Sequence, residues 1–257
     1  MKLYREILHI ALPAMIENFL QFLMGMVDSY LVAHLGLVAL SGVAVANNLI
    51  TIFQAIFLAL GSAISVLLAS LVDRQDSEKL ANQAVEALKL TLLISLVLGM
   101  FSLLAGPSFL LFLGAEKTVA NAGGIYLALV GGHIVFLGLM TSLGAILRAL
   151  GKSQLPMYVS LLSNLLNALF SALGVFVFQA GILGVAVGTI LARIIACFIL
   201  WKQLPFKLAK PSWTLDRKLI GLAMPAAAER LMMRAGDVVV VALIVSLGTA
   251  VVAGNAV

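Results

Sequence analysis

The sequence predicts an all-α polytopic membrane protein: a six-helix transmembrane lobe followed by the first helix of a second lobe that repeats the first in parallel. Three observations predict it. Of its 257 residues 63% are hydrophobic and only 11% are charged, with a mean hydropathy of +1.15, so there is too little polar surface for a water-soluble globule. Apolar runs long enough to cross a bilayer recur at about 7–33, 43–72, 87–113, 119–146, 155–178, 184–204 and 219–247, and a lone segment in lipid must satisfy its own backbone, which makes each a helix. A shift of 212 positions lays Ala11, Pro13, Ala14 and Glu17 on Ala223, Pro225, Ala226 and Glu229, and Leu35, Gly36, Gly42 and Ala44 on Leu247, Gly248, Gly254 and Ala256.

Both copies of that repeat begin after an even number of spans, hence on the same side of the membrane. The second copy stops at Val257, where the first is entering its second span. The expected organisation is therefore a lobe over 1–204, an inter-lobe loop over 205–218, and the truncated start of a second lobe over 219–257. A cleavable signal peptide is not expected, because the first apolar run is too long for one and lacks a small-residue cleavage site.

The first run carries Glu17, Gln21 and Asp28. At about 100° per residue these fall within roughly 40° of one another and form one polar stripe. Pro13 lies upstream, removes a backbone donor and can bend the span. A carboxylate in hydrocarbon costs at least about 2.5 kcal/mol, so Asp28 faces a partner or a wet cavity, either as a group that works or as one that pairs structurally near a helix end. Glu17 and Gln21 sit deeper, placed to carry a proton or contact a cationic substrate, although Glu17 also has the position of an interfacial ion-pair partner.

Asn47, Thr51 and Gln54 line one face of the second run. Ser160, Asn164, Asn167 and Ser171 do the same on the fifth. Interhelical hydrogen bonding accounts for such faces in the simplest case, at about 0.6 kcal/mol per bond; two of them beside the Asp28 stripe suggest a polar cavity. On the fourth run Tyr126 and His133 are expected to share a face, with His133 open to a packing or a proton-relay role. Gly123-Gly124 and Gly131-Gly132 are expected to let helices approach closely. On the seventh run Glu229, Arg230, Arg234 and Asp237 cluster, and Arg234 and Asp237 at i,i+3 allow an ion pair.

Orientation follows from lysine and arginine. Lys2 and Arg5 precede the first run, Arg74 and Lys79 follow the second, Arg148 and Lys152 the fourth, and Lys202, Lys207, Lys210, Arg217 and Lys218 the sixth, whereas the opposite loops hold only Lys117. That alternation places the N-terminus in the cytoplasm. Asp28, Asn167, Ser171 and Thr189 then fall at similar depth, where hydroxyl and amide groups can bond an acid in either protonation state.

The net charge of +5 is spread over several short loops, so nucleic acid is not an expected partner. Cys197 is the only cysteine, which excludes an internal disulfide. There is no metal-ligand cluster, nucleophile–base pair or phosphate loop, so an enzyme reading has no residues to stand on and no cofactor is expected.

In its motifs the chain resembles the multidrug and toxic compound extrusion (MATE) family. Pro13 through Val27-Asp28-Ser29-Tyr30 to Leu35-Gly36 is similar to that family's opening helix. Arg148-Ala-Leu-Gly151-Lys-Ser153-Gln-Leu-Pro156-Met157 resembles its loop between helices four and five, and Asn164, Asn167, Gly181, Gly184, Val185 and Thr189 continue the likeness. The resemblance implies a twelve-helix, two-lobe fold, truncated here, and export of organic, often cationic compounds driven by inward proton or sodium flow. It also implies that the cation or proton site uses the positions of Asp28, Asn167, Ser171 and Thr189. Ser171 stands where the family pattern has a second carboxylate, which favours protons over sodium. Relatives that use a Glu in helix seven would place it at Met233, one turn before Asp237. The expected substrate cavity adds Glu17, Gln21, Asn47, Thr51, Gln54 and Asn164.

The expected partners are small organic substrates and membrane lipids. The expected full-length protein is a monomer in the cell membrane, in particular the bacterial inner membrane. A lipid-linked saccharide flippase of the same wider superfamily is the alternative. It would need a cationic cavity for pyrophosphate, and spans one to six offer almost only Arg193.

Overall fold

A computed structural model describes residues 15, 16, 19, 23, 25–72, 77–205 and 217–246, with the backbone alone at 77 and 237–246. Pro13, Glu17, Gln21 and the Asp237 side chain lie outside the described parts. The described residues form helices α1 (25–33), α2 (Leu37–Val72), α3 (Ser77–Phe112), α4 (Lys117–Tyr126), α5 (Val135–Ala149), α6 (Gln154–Ala172), α7 (Gly181–Lys202) and α8 (Arg217–Ser246). A π-helical turn at Leu127–Gly131 follows α4, and a second at Leu173–Val177 follows α6.

Four helical stretches, Leu37–Val72, Glu78–Phe112, Gln154–Val177 and Gly181–Lys202, are long and apolar enough to cross a bilayer. The fourth expected span is broken: Lys117–Gly131 and Val135–Ala149 meet at 44°. The break has a local cause. In the π-turn the Gly132 N–H donates to Leu127 O at 3.2 Å, one residue wider than the α-helical bond, and the Gly131-Gly132 pair offers little helical propensity to resist it. Two helices start earlier than their expected spans. α2 begins at Leu37 with the apolar run Leu37–Leu40, and α3 begins at Ser77, where helix continues into a polar end in which Glu86 and Lys89 pair at 2.7 Å. The seventh expected span, α8, is a single 30-residue helix through Pro225, but Glu229, Arg230 and Arg234 within it leave no long charge-poor window.

The helices bury two apolar clusters. The first gathers Val32 of α1, Leu40, Val43 and Phe53 of α2, Leu110 of α3, Leu127 and Val185. The second gathers Leu60, Ile64 and Leu68 of α2 with Leu143, Ile146 and Leu147 of α5, Leu200 of α7 and Leu219 of α8. α2 thus runs the height of the bundle and contributes to both. Large apolar side chains such as Leu104, Phe112 and Phe178 instead point outward, 75–81% exposed, the inverse of a soluble protein and the arrangement lipid requires.

Glycines set the tightest crossings, as expected for Gly123 and Gly131. A Cβ on Gly42 would lie 2.6 Å from Gly123 N, and one on Gly131 would lie 2.5 Å from Ser102 Oγ. Buried hydroxyls add bonds between helices: Thr91 to Ser142 at 2.7 Å links α3 to α5, and Ser65 to Ala145 O at 3.2 Å links α2 to α5. The Cys197 thiol donates to Phe136 O, joining α7 to α5.

Candidate functional site

Asp28 is buried on α1. Its helix is held by Val32, which is fully covered, and by His34, whose ring meets Phe176 edge-on at 5.5 Å. Gly36 at φ 103° turns the chain into α2, a conformation that favours glycine.

Opposite Asp28 lies the seam of α6 and α7. A Cβ on Gly184 would come within 2.6 Å of Gly174, and one on Gly188 within 2.6 Å of Ser171 N. Gly184 and Gly188 are one turn apart, a small-xxx-small pair that lets two backbones touch. The adjacent Thr189 is thereby brought to α6: Asn167 Nδ2 donates to Thr189 Oγ1 at 3.1 Å, and Thr189 donates to Val185 O at 3.0 Å. Ser171 Oγ donates to Asn167 Oδ1 at 3.0 Å. Asn167 also lies within hydrogen-bonding reach of the Asp28 carboxyl. One amide therefore brings together the acid, a hydroxyl of its own helix and a hydroxyl of the next. Asn167, Ser171 and Thr189 are all buried.

Two residues join this group that the sequence reading left elsewhere. Tyr126 is buried and lies within hydrogen-bonding reach of Thr189 and Asn47. Its expected partner on one face, His133, is exposed and bonds Leu129 O at 2.8 Å. The π-turn between them adds a residue to the helical repeat, so they do not share a face as α-helical spacing predicts. Arg193, one turn beyond Thr189 on α7, acts electrostatically on both Asp28 and Tyr126 without closing an ion pair to Asp28.

The rest of the expected cavity is only partly assembled. Asn47 reaches the site through Tyr126. Thr51 turns back to Asn47 O at 2.8 Å, and Gln54 and Asn164 are half-buried on their helices. Glu17, Gln21 and Pro13 lie outside the described residues. On α8, Glu229, Met233 and Arg234 are exposed. Among the described residues no three His, Cys, Asp or Glu side chains gather as a metal site.

An acid buried in a polar, glycine-tightened seam between apolar helices defines a multi-pass membrane protein with an ionisable group inside its bundle. The comparisons with known proteins place it further. The MatE family model matches residues 13–173, more than half of the chain, and the chain belongs to the MatE family, whose members are transporters and not a class of enzymes. Among curated proteins it is 26% identical over 263 residues to a probable multidrug resistance protein NorM of Thermotoga maritima, covering 98% of this chain and 57% of that protein. It is 25% identical over 258 residues to a probable multidrug resistance protein YpnP of Bacillus subtilis, covering 97% and 58%. The chain thus spans about half the length of these relatives. Among solved structures it superposes on a crystal structure of MATE in the bent conformation with a TM-score of 0.82 at 20% identity, over 89% of this chain and 53% of that one. It also superposes on an inward-facing multidrug resistance MATE family transporter of the MOP superfamily at 0.79 and 19%, over 98% and 60%. These likenesses establish the fold.

Proposed function

We propose that this chain supplies the N-terminal lobe, and the first helix of a second lobe, of a secondary active multidrug efflux antiporter. It exports organic, often cationic compounds in exchange for protons or sodium ions by alternating access. The observation that supports this most is Asp28: a carboxyl buried between helices, within reach of Asn167 and facing Arg193 without an ion pair. An acid kept in that setting is free to gain and lose a proton, whereas one locked in a salt bridge is not.

Asn167, Ser171 and Thr189 offer both donors and acceptors, so they accommodate the carboxyl in either state. Protonation from outside removes a charge from the bundle, lets the first helix bend near Pro13 and closes the cavity, releasing substrate outward. A proton is the favoured coupling ion, because Ser171 supplies a hydroxyl where a sodium site would gain from a second carboxylate. The N-terminus lies in the cytoplasm, a reading that the positive-inside loops support, and the protein functions as a monomer in the cell membrane.

The test is export from inside-out vesicles carrying the full-length protein. Asp28→Asn is expected to abolish proton-driven export while leaving the protein in the membrane at normal levels. Wild-type rates in that variant overturn the reading.

A further inference from the structure

Three buried donors on the α6–α7 seam have no acceptor. Asn164 Nδ2, Ser160 Oγ and Arg193 Nη1 are all shut from solvent and all without a hydrogen-bond partner. Their placement is set by the helix pairing. α6 and α7 run antiparallel, with Gly174 against Gly184 and Asn167 bonded to Thr189. One turn further on, Asn164 on α6 comes opposite Arg193 on α7, and Ser160 follows a turn beyond. Leaving any one of these groups unmet is costly, the charged one most of all.

The three share a chemistry. An amide N–H, a guanidinium N–H and a hydroxyl all want an acceptor, and beside a guanidinium the best acceptor is an anion. The planar fork of Arg193 matches a carboxylate, and one guanidinium balances one negative charge. Next to this trio stands Asp28, whose Oδ1 is likewise buried without a partner. Donors without an acceptor thus adjoin an acid that Arg193 acts on without closing an ion pair.

Resting on the exporter reading, we propose that Arg193, Asn164 and Ser160 form a carboxylate subsite beside Asp28, and that the exported compounds it fits best are amphipathic zwitterions. The carboxylate of the cargo accepts from Arg193, Asn164 and Ser160. Its ammonium faces Asp28. A proton arriving on Asp28 removes the partner of the ammonium and not that of the carboxylate, so proton and cargo compete at one oxygen pair, as exchange requires. A bare cation makes half of these contacts and brings its charge toward Arg193.

The test uses a fluorescent amino-rhodamine with a free carboxylate and its methyl ester, which differ in that one group. Binding to the full-length protein in nanodiscs is followed by fluorescence anisotropy. The free acid is expected to bind about tenfold tighter or more, the loss of a charge-assisted contact being worth at least that factor. Arg193→Gln is expected to bring the ratio close to one, and Arg193→Lys, which keeps the charge and loses the fork, to retain part of it. Equal wild-type affinities for acid and ester overturn the subsite whether or not any variant folds, and so does an undiminished ratio in Arg193→Gln. Vesicle export separates this from the broader reading. Export of the ester with no preference for the acid overturns the subsite and leaves the exporter standing. A preference in binding that Arg193→Gln removes, with neither dye exported, supports the subsite and counts against the exporter.

Discussion

Asn167 holds more of the site than its size suggests, since one amide bonds Ser171 and Thr189 and lies within reach of Asp28. Asn167→Ala leaves two buried hydroxyls and a carboxyl short of a partner, so a loss of about 1–3 kcal/mol is expected, read as a lowered unfolding temperature in detergent. Thr189→Val keeps the shape, removes the bonds to Asn167 and Val185 O, and is expected to cost less than Asn167→Ala. Ser171→Asp goes the other way. It places a second carboxylate beside Asp28 and gives a hard cation an oxygen cage. Sodium at millimolar levels is then expected to raise the unfolding temperature of Ser171→Asp by mass action and to leave the wild type unmoved; sodium stabilisation of the wild type to the same degree would count against proton preference. The grouping of these four positions was legible in the sequence, because their similar depth and the family resemblance both pointed to it. Arg193 was visible too, but only as a lone cation. Sequence spacing alone does not say that α7 is turned to present it to Asp28.

At the scale of the helix, the site depends on how closely α6 and α7 approach. Gly188→Val would drive a side chain into the Ser171 backbone, and the two helices must part. A destabilisation of about 1–3 kcal/mol is expected from overpacking, together with loss of export, because Thr189 is carried away from Asn167. Gly221→Ala is the matched control. It stands in open space on α8, so it is expected to be neutral or to gain up to about 1 kcal/mol. The π-turn at Leu127–Gly131 makes a second case. Deleting Ala128 restores an α-helical repeat and removes the widened turn beside the 44° break between α4 and α5. Export is expected to fall while helix content by circular dichroism stays unchanged. This turn marks where the reading of the chain failed. Apolar residues fill the fourth span evenly, so nothing in their spacing reveals one extra residue per turn, and Tyr126 was assigned the face of His133. Gly184 and Gly188 were legible in principle as a small-xxx-small pair, yet their partners, Gly174 and Ser171, lie across the seam and are found only by packing.

For the whole molecule, the apolar runs gave the described spans because lipid admits few alternatives, whereas their ends did not follow from hydropathy. α2 and α3, at 36 residues each, reach about 54 Å at 1.5 Å per residue, well beyond a hydrocarbon core of about 30 Å. Their surplus length must project into water on at least one side, and charge decides which. The last turn of α5 carries Arg148 and the segment after it Lys152, with Lys152 bonded to Gln203 O at the end of α7, so these two helix ends lie together on one face of the bundle. The positive-inside rule supports the proposed orientation, in which that face is cytoplasmic. The turn between α3 and α4, with Glu116 and Lys117, then falls on the opposite side. A green fluorescent protein fused after Lys152 is expected to fluoresce in a bacterial host, and alkaline phosphatase fused after Glu116 is expected to be active. The reverse pattern would place Asp28 nearer the cytoplasm and require protons to enter from the other end, contradicting the direction of exchange proposed above.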